Sequence, residues 1–369
     1  MDSGLFDFLQ VEIDPDAMRA EAAATGILLF GAGGFARAVQ RAVRNRGIPV
    51  HAHVISGEGP LTIEGVPVVR LVDLDPDWLS LPMWLAVFNR NADSDLSLLK
   101  DQCLVQGIGK VLMPQEYFEV IEPEMGWRFW LTDRRHYAEN RRDIEAVYDG
   151  LADNESRQVF LDILRFRLGV SGARAPRPSS TNQYFPPEIT AALAARSSRP
   201  SLVDGGAYDG DTLRLARQNC HPGQAYAFEP APRNFERLVT HVVTLDFPVI
   251  CVPCGLSSAL ESAPFAADDG EACAITQGGQ DRILTVRLDQ CLPTTDVDFL
   301  KLDVEGHEMS ALEGARRVVE SSRPLLALAA YHRWDDVWRL AEFLCRSYPD
   351  YRLSLLSHDT FDSVLYGIS

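Results

Sequence analysis

Three short segments bring together residue types that do chemistry. Phe299-Leu300-Lys301-Leu302-Asp303-Val304-Glu305-Gly306-His307-Glu308 passes from an apolar run into a cluster of ionisable side chains, and Tyr331-His332 adds a second imidazole. A carboxylate or imidazole placed at a ligand can take the proton from a hydroxyl nucleophile. His332 is the first candidate for that base, followed by Asp303 and Glu305. The plainer alternative makes Glu308 a first-turn acid facing its helix dipole and His332 a strand-end surface histidine.

The second segment, Val203-Asp204-Gly205-Gly206-Ala207-Tyr208-Asp209-Gly210-Asp211-Thr212, fits D-x-G-x-x-x-G through Asp204, Gly206 and Gly210. Its glycines let backbone approach a bulky ligand, and Asp211 or Thr212 can cap the helix that follows. The third, Phe228-Glu229-Pro230, places an acid at the next strand end, where it can accept both hydroxyls of a ribose. S-adenosylmethionine has no pyrophosphate, so its site relies on carboxylates for amino and hydroxyl groups. The acidity around Asp204 and Glu229 suits that cofactor.

A fourth segment is glycine-rich: Gly31-Ala32-Gly33-Gly34-Phe35-Ala36 fits G-x-G-x-x-A between a strand and a helix. Gly31, Gly33 and Gly34 could cradle a phosphate at the helix N-terminus. The slot for a ribose-binding acid holds Ser56, and the nearest acid is Glu58, which argues against a nicotinamide cofactor. The turn could equally serve packing alone.

Elements must position these residues. Strand patterns at Ile27–Phe30, Val50–Ile55, Met83–Phe88 and Lys110–Met113 alternate with helical spacing, as in a parallel sheet. Residues 115–172 read as helical, with Val159, Phe160, Ile163, Leu164 and Leu168 in register. Ser171–Thr181 reads as a loop. Beyond it, strands are expected at Ser201–Asp204, Ala225–Glu229, Val249–Val252, Phe299–Asp303, Leu325–Tyr331, Tyr351–Leu356 and Ser363–Tyr366. Helices are expected at Thr212–Arg217, Arg233–Thr240, Glu308–Val319 and Asp335–Arg346. Five strands with crossovers and a terminal antiparallel hairpin give the order 3-2-1-4-5-7-6 of a class I methyltransferase. Ligands in such a sheet sit beyond the carboxyl ends of the strands, the rim that Asp204, Glu229, Asp303 and His332 share.

The chain has 369 residues, 46 % apolar and 24 % charged, enough for two domains with substantial cores. Its net charge is −17, and both halves are acidic, so nucleic acid and anionic membrane are poor partners. No apolar run suits a transmembrane segment. Met1-Asp2-Ser3-Gly4 lacks a basic start, so no secretory signal is read, and a cytoplasmic location is expected. Seven scattered cysteines fit reduced thiols; Cys251-Val252-Pro253-Cys254 lacks the second ligand pair a zinc site needs. Asp268-Asp269-Gly270-Glu271 reads as a solvated turn. Trp127, Phe129 and Trp130 are either core or a platform for a sugar.

Two resemblances follow from these motifs. Ile27–Ala36 and Ile63-Glu64-Gly65-Val66-Pro67-Val68 resemble the N-terminal domain of PglD-type sugar acyltransferases, which handles a nucleotide-linked sugar; the hexapeptide repeats of acyl transfer are absent. Asp204–Thr212, Phe228–Pro230, Val286-Arg287-Leu288-Asp289, Phe299–Ala315, Tyr331-His332 and Trp334 through Trp338 resemble the FkbM family of S-adenosylmethionine-dependent methyltransferases. That resemblance implies O-methylation of a hydroxyl on a sugar, glycan or secondary metabolite. It implies cofactor contacts at Asp204, Gly206, Tyr208 and Glu229, with Asp303 beside the transferred methyl. His307 stands where the family more often has a small residue.

The architecture expected is therefore an α/β chain in three parts. Residues 1–115 form a Rossmann-like domain that helps bind a nucleotide- or carrier-linked acceptor. Residues 116–182 form a helical connector and linker, and 183–369 a class I methyltransferase domain. The expected cofactor-binding set is Asp204, Gly205, Gly206, Ala207, Tyr208, Gly210, Thr212, Glu229 and Asp303. No metal site is assigned, although Asp303, Glu305 and Glu308 offer oxygen ligands and leave a divalent metal open. The expected partner is a small-molecule or carbohydrate acceptor, and a homo-oligomer is compatible. Two rivals are a dehydrogenase using the first loop and a non-catalytic binding protein of methyltransferase fold.

Overall fold

A computed structural model describes residues 4–10, 13–88, 95–126, 128–266, 274–275, 281–292, 294, 296–359 and 361–369. Trp127 and Asp268–Glu271 lie outside the described residues. The chain divides into two compact units: Met1–Glu145 with Phe160–Arg177 and Asp359–Phe361, and Ala146–Val159 with Pro178–His358 and Asp362–Ser369.

The first unit is built on β1 (Ile27–Phe30), β2 (Val50–Ile55), β3 (Thr62–Ile63), β4 (Val66–Arg70), β5 (Met83–Leu85) and β6 (Val111–Leu112), in the order β3-β4-β2-β1-β5-β6. All pairings are parallel except β3 with β4. The continuous apolar runs of β1 and β5 are buried throughout, as both faces of a parallel sheet require. The pair β3–β4, which the strand reading did not separate, turns at Glu64-Gly65. Both residues have φ > 0, the backbone of a tight hairpin. Helices at Pro114–Met125, Arg135–Glu139, Arg141–Gly150 and Asn154–Arg167 fill the stretch read as helical.

The second unit holds β7 (Ser201–Gly205), β8 (Gln224–Phe228), β9 (Val249–Val252), β14 (Phe299–Leu302), β15 (Leu325–Ala329), β16 (Arg352–Ser357) and β17 (Ser363–Ile368) in one sheet. Its order is β16-β17-β15-β14-β7-β8-β9, the expected 3-2-1-4-5-7-6 read from the other edge. β17 runs antiparallel to both neighbours, so the terminal hairpin closes the sheet as anticipated. A four-stranded sheet of β10 (Gly255–Leu256), β11 (Glu261–Ala266), β12 (Ala274–Ile275) and β13 (Asp281–Val286) lies between β9 and β14 in sequence, in the order β10-β13-β11-β12. It escaped the sequence reading because β10 and β12 have two residues each and β11 contains Pro264.

The amphipathic helix expected over Glu308–Val319 is two helices, Glu308–Gly314 and Arg316–Ser322, broken at Ala315 (φ −109°, ψ 9°). The second has a borrowed cap: the Asp289 carboxylate accepts from Arg317 N and Val318 N, both at 3.0 Å, satisfying the first free amides. Among the described residues no helix is long and apolar enough to cross a membrane.

Candidate active site

The carboxyl ends of β8, β7, β14 and β15 are neighbours in the sheet, and the selected segments open from them. The parallel register sets Lys301 of β14 opposite Asp204 of β7. Both side chains are 2 % exposed, with Lys301 Nζ 2.9 Å from Asp204 Oδ1. The same ammonium donates to the Gly206 carbonyl at 2.6 Å. Burial works against the Lys301 charge, but Asp204, Asp303 and Asp211 prevail and its pKa is raised. Lys301 had no assigned role in the sequence reading, although a lysine inside the apolar run FLKL was the available signal.

Burial raises the Asp204 carboxyl from 3.8 to about 6 against the pull of Lys301. A raised folded value favours the protonated form. This group therefore contributes fully to folding below its unfolded value near 4, and loses that contribution as pH rises through about 6. Infrared difference spectra should show a carboxyl band vanishing near pH 6 in the native chain and missing from Asp204→Asn. A native Asp204 titrating near 4 would contradict burial outweighing the pull of Lys301.

The loop after β7 packs tightly on the strand beside it. A Cβ on Gly206 (φ +75°) would stand 1.8 Å from the Asp303 carbonyl oxygen, so only glycine fits. Gly206 N and Ala207 N both donate to Phe228 O, tying the loop to β8. Glu229, buried at the end of β8, accepts from Tyr208 N (2.9 Å) through one oxygen and from Ala231 N (2.8 Å) through the other. Burial raises its pKa while these amides hold it down. The Asn234 side chain is a third partner, and since a carboxylate has about four acceptor positions, Glu229 keeps one to spare. The cap of the next helix is Gly210, with φ +86°, rather than Asp211 or Thr212. Those two are its first helical residues, and the Asp211 carboxylate accepts from Thr212 N instead.

Beyond β14 and β15, Asp303, Glu305 and His332 converge. Tyr184 donates its hydroxyl to Asp303 Oδ2 at 2.6 Å. His332 is 3 % exposed, its ring against Tyr331. Its Nδ1 lies 2.8 Å from Glu308 Oε1, and its Nε2 lies 3.2 Å from Asp303 Oδ1 and 3.5 Å from Glu305 Oε2. Burial alone would lower its pKa, but Glu308, Glu305 and Asp303 raise it to about 10. The three carboxylates thus favour the imidazolium form, which cannot accept a proton. Glu308, fully buried, also accepts from Val304 N at 2.8 Å. It is a first-turn acid, as the plainer alternative has it, but a buried one tied to the loop that precedes its helix. His307 is the half-buried N-cap residue of the helix it precedes. Tyr184 was missed because its contact with Asp303 crosses 119 positions and no local pattern marks it.

The first unit's loop is arranged differently. A Cβ on Gly31 (φ +130°) would meet Ala86 O at 2.7 Å, so this glycine serves packing. Gly33, the N-cap of Gly34–Asn45, and Gly34 have open space where a side chain would project. His53, fully buried, has Nδ1 2.8 Å from Gly31 O and Nε2 2.8 Å from the Gln40 side-chain amide. Burial lowers its pKa, favouring the neutral ring. Ser56 is exposed just past β2. Trp130 is core, 2 % exposed and 5.2 Å from Phe88 between ring centres. Cys251 and Cys254 are free, and burial raises both thiols.

Comparison with known proteins bears on the second unit. Residues 204–359 match the model of the methyltransferase FkbM domain. A hexuronic acid methyltransferase of Haloferax volcanii, AglP, is 34 % identical over 104 residues, 26 % of this chain and 43 % of that protein. The chain thus spans less than half the length of the curated relative it matches. The crystal structure of methyltransferase FkbM from Methylobacillus flagellatus superposes with a TM-score of 0.73 at 21 % identity, over 100 % of this chain and 96 % of that one. At that identity the likeness establishes a shared fold. The matched segment from Asp204 to Asp359 carries the Asp204–Gly206 loop, Glu229, Asp303 and His332, and is similar to the methyltransferase FkbM domain.

Proposed function

We propose that this chain is an S-adenosylmethionine-dependent O-methyltransferase acting on a hydroxyl of a sugar, glycan or secondary metabolite. The observation that carries the reading is the convergence of Asp303, Glu305 and Tyr184 beside the Gly206 loop, within a matched FkbM domain. The residues suit the cofactor: a loop with no room for a side chain at Gly206 and a Glu229 carboxylate with an acceptor position beyond its bonds to Tyr208, Ala231 and Asn234. Asp204, Gly205, Ala207, Tyr208, Gly210 and Thr212 complete the proposed cofactor loop. When bound, S-adenosylmethionine supplies an electrophilic methyl on a sulfonium.

The chain's own task is then to align the acceptor and remove its proton. Asp303 or Glu305 would take the proton of the acceptor hydroxyl. His332, held as a cation, keeps these carboxylates oriented. This reassigns the base from His332 to its neighbours. A sugar acceptor is supported by the partial match to a hexuronic acid methyltransferase. Methyl-labelled cofactor incubated with uronic-acid glycans and nucleotide sugars should label a hydroxyl. Labelled nitrogen or carbon in the product would overturn O-methylation.

The first unit is assigned to holding a nucleotide- or carrier-linked acceptor at the Gly33-Gly34 turn. Gly33→Asp tests this in the full chain. The backbone at Gly33 is extended, space is open, and aspartate is a good N-cap, so folding should survive. The added negative charge should weaken nucleotide-sugar binding by about 10-fold, consistent with losing roughly 1.4 kcal/mol at a helix N-terminus. Cofactor binding should be unchanged. Equal nucleotide-sugar binding by both proteins would remove the assignment.

A further inference from the structure

We propose that Asp303 Oδ1, Glu305 Oε2 and His332 Nε2 form a binding site for a divalent transition-metal cation of the Mn²⁺ or Zn²⁺ class. These three ligand atoms lie within 4.8 Å of one another. His332 is 97 % buried, and among the described residues its Nε2 makes no hydrogen bond. That nitrogen points between Asp303 Oδ1 at 3.2 Å and Glu305 Oε2 at 3.5 Å. Ligands sharing one ion with bonds of about 2.1 Å stand about 3.0–3.4 Å apart. The spacing is poor for a directed hydrogen bond and good for a shared central ion.

The surrounding contacts are those of a supported ligand set. A ligating histidine usually directs its other nitrogen at a carboxylate, and His332 Nδ1 is 2.8 Å from Glu308 Oε1. Ligating carboxylates are themselves held by hydrogen bonds, and Tyr184 donates to Asp303 Oδ2 at 2.6 Å while Oδ1 faces His332. The Tyr331 hydroxyl, 3.5 Å from Asp303 Oδ1, steadies the same side. The alternative grouping of Glu308, His332 and Asp336 would need Nδ1, which Glu308 already occupies. One imidazole with two carboxylates favours Mn²⁺, Fe²⁺ or Zn²⁺ over Mg²⁺ and Ca²⁺, which prefer oxygen alone. The cation would displace the Nε2 proton and replace the imidazolium charge between Asp303 and Glu305, and three protein ligands would leave a position open for an acceptor hydroxyl whose proton it loosens. This last role rests on the methyltransferase reading; the binding itself does not.

The full chain, stripped with EDTA and dialysed, should bind one equivalent of Mn²⁺ or Zn²⁺ by calorimetry. Asp303→Asn and Glu305→Gln should each weaken binding at least 10-fold, and Tyr184→Phe by about 10-fold. Asp350→Asn, an exposed carboxylate elsewhere, should change nothing. Pulsed EPR of the Mn²⁺-loaded native chain should show coupling to one imidazole ¹⁴N, which keeps the proposal testable if a variant fails to fold. No stoichiometric binding, no ¹⁴N coupling, or undiminished binding in folded Asp303→Asn and Glu305→Gln would overturn it. Metal binding without S-adenosylmethionine binding would leave this site standing and remove the methyltransferase reading; the converse would remove this site alone.

Discussion

Asp303→Asn should lower methyl transfer by about 10²–10⁴-fold, the usual contribution of a positioned proton acceptor. The substitution is nearly isosteric, and the new amide oxygen can still accept from the Tyr184 hydroxyl, so local packing should persist. The loss should fall on kcat, with cofactor affinity within a few-fold of native, because the Gly206 loop approaches the Asp303 backbone rather than its carboxylate. Comparing turnover and cofactor affinity in the same preparation checks this. Turnover within 10-fold of native would show that Asp303 does not touch the reacting hydroxyl.

The second large effect is on stability. Removing one member of a buried ion pair strands the other charge and costs about 3–5 kcal/mol. Lys301→Met leaves Asp204 buried without its cation and releases the Gly206 carbonyl. Urea denaturation should show that loss, and cofactor binding should weaken too, since the freed carbonyl belongs to the loop. Adding Asp204→Leu to Lys301→Met should recover much of the stability, because two apolar groups need no partner, but should not restore cofactor binding. A Lys301→Met chain as stable as native would contradict the buried pairing.

Much of the second unit was legible because its signals are local. Fully apolar runs such as Leu325–Ala329 mark buried parallel strands, and acids and glycines at their carboxyl ends mark the ligand rim. Strand order and the terminal hairpin followed from those marks. What escaped depends on contacts distant in sequence. The borrowed cap from Asp289 divides a helix whose apolar stripe runs on unbroken. The strands β11 and β13, whose sequences lack a strong apolar pattern, pair with each other. His332 was correctly set on the rim, but its chemistry came from Glu308, Glu305 and Asp303 closing around it, which spacing alone does not reveal. Lys301 was hidden for the opposite reason: a lone charge in an apolar strand acquires meaning only when register places Asp204 beside it.

The central claim is that the rim formed by the Gly206 loop and Glu229 holds S-adenosylmethionine, with Asp303 beside it. Isothermal calorimetry of the full chain with S-adenosylmethionine and S-adenosylhomocysteine tests it most directly. One equivalent of each should bind, and Glu229→Gln should weaken both, since the amide binds ribose hydroxyls and the Tyr208 and Ala231 amides less well than a carboxylate does. Failure of the folded native chain to bind either compound would contradict the account.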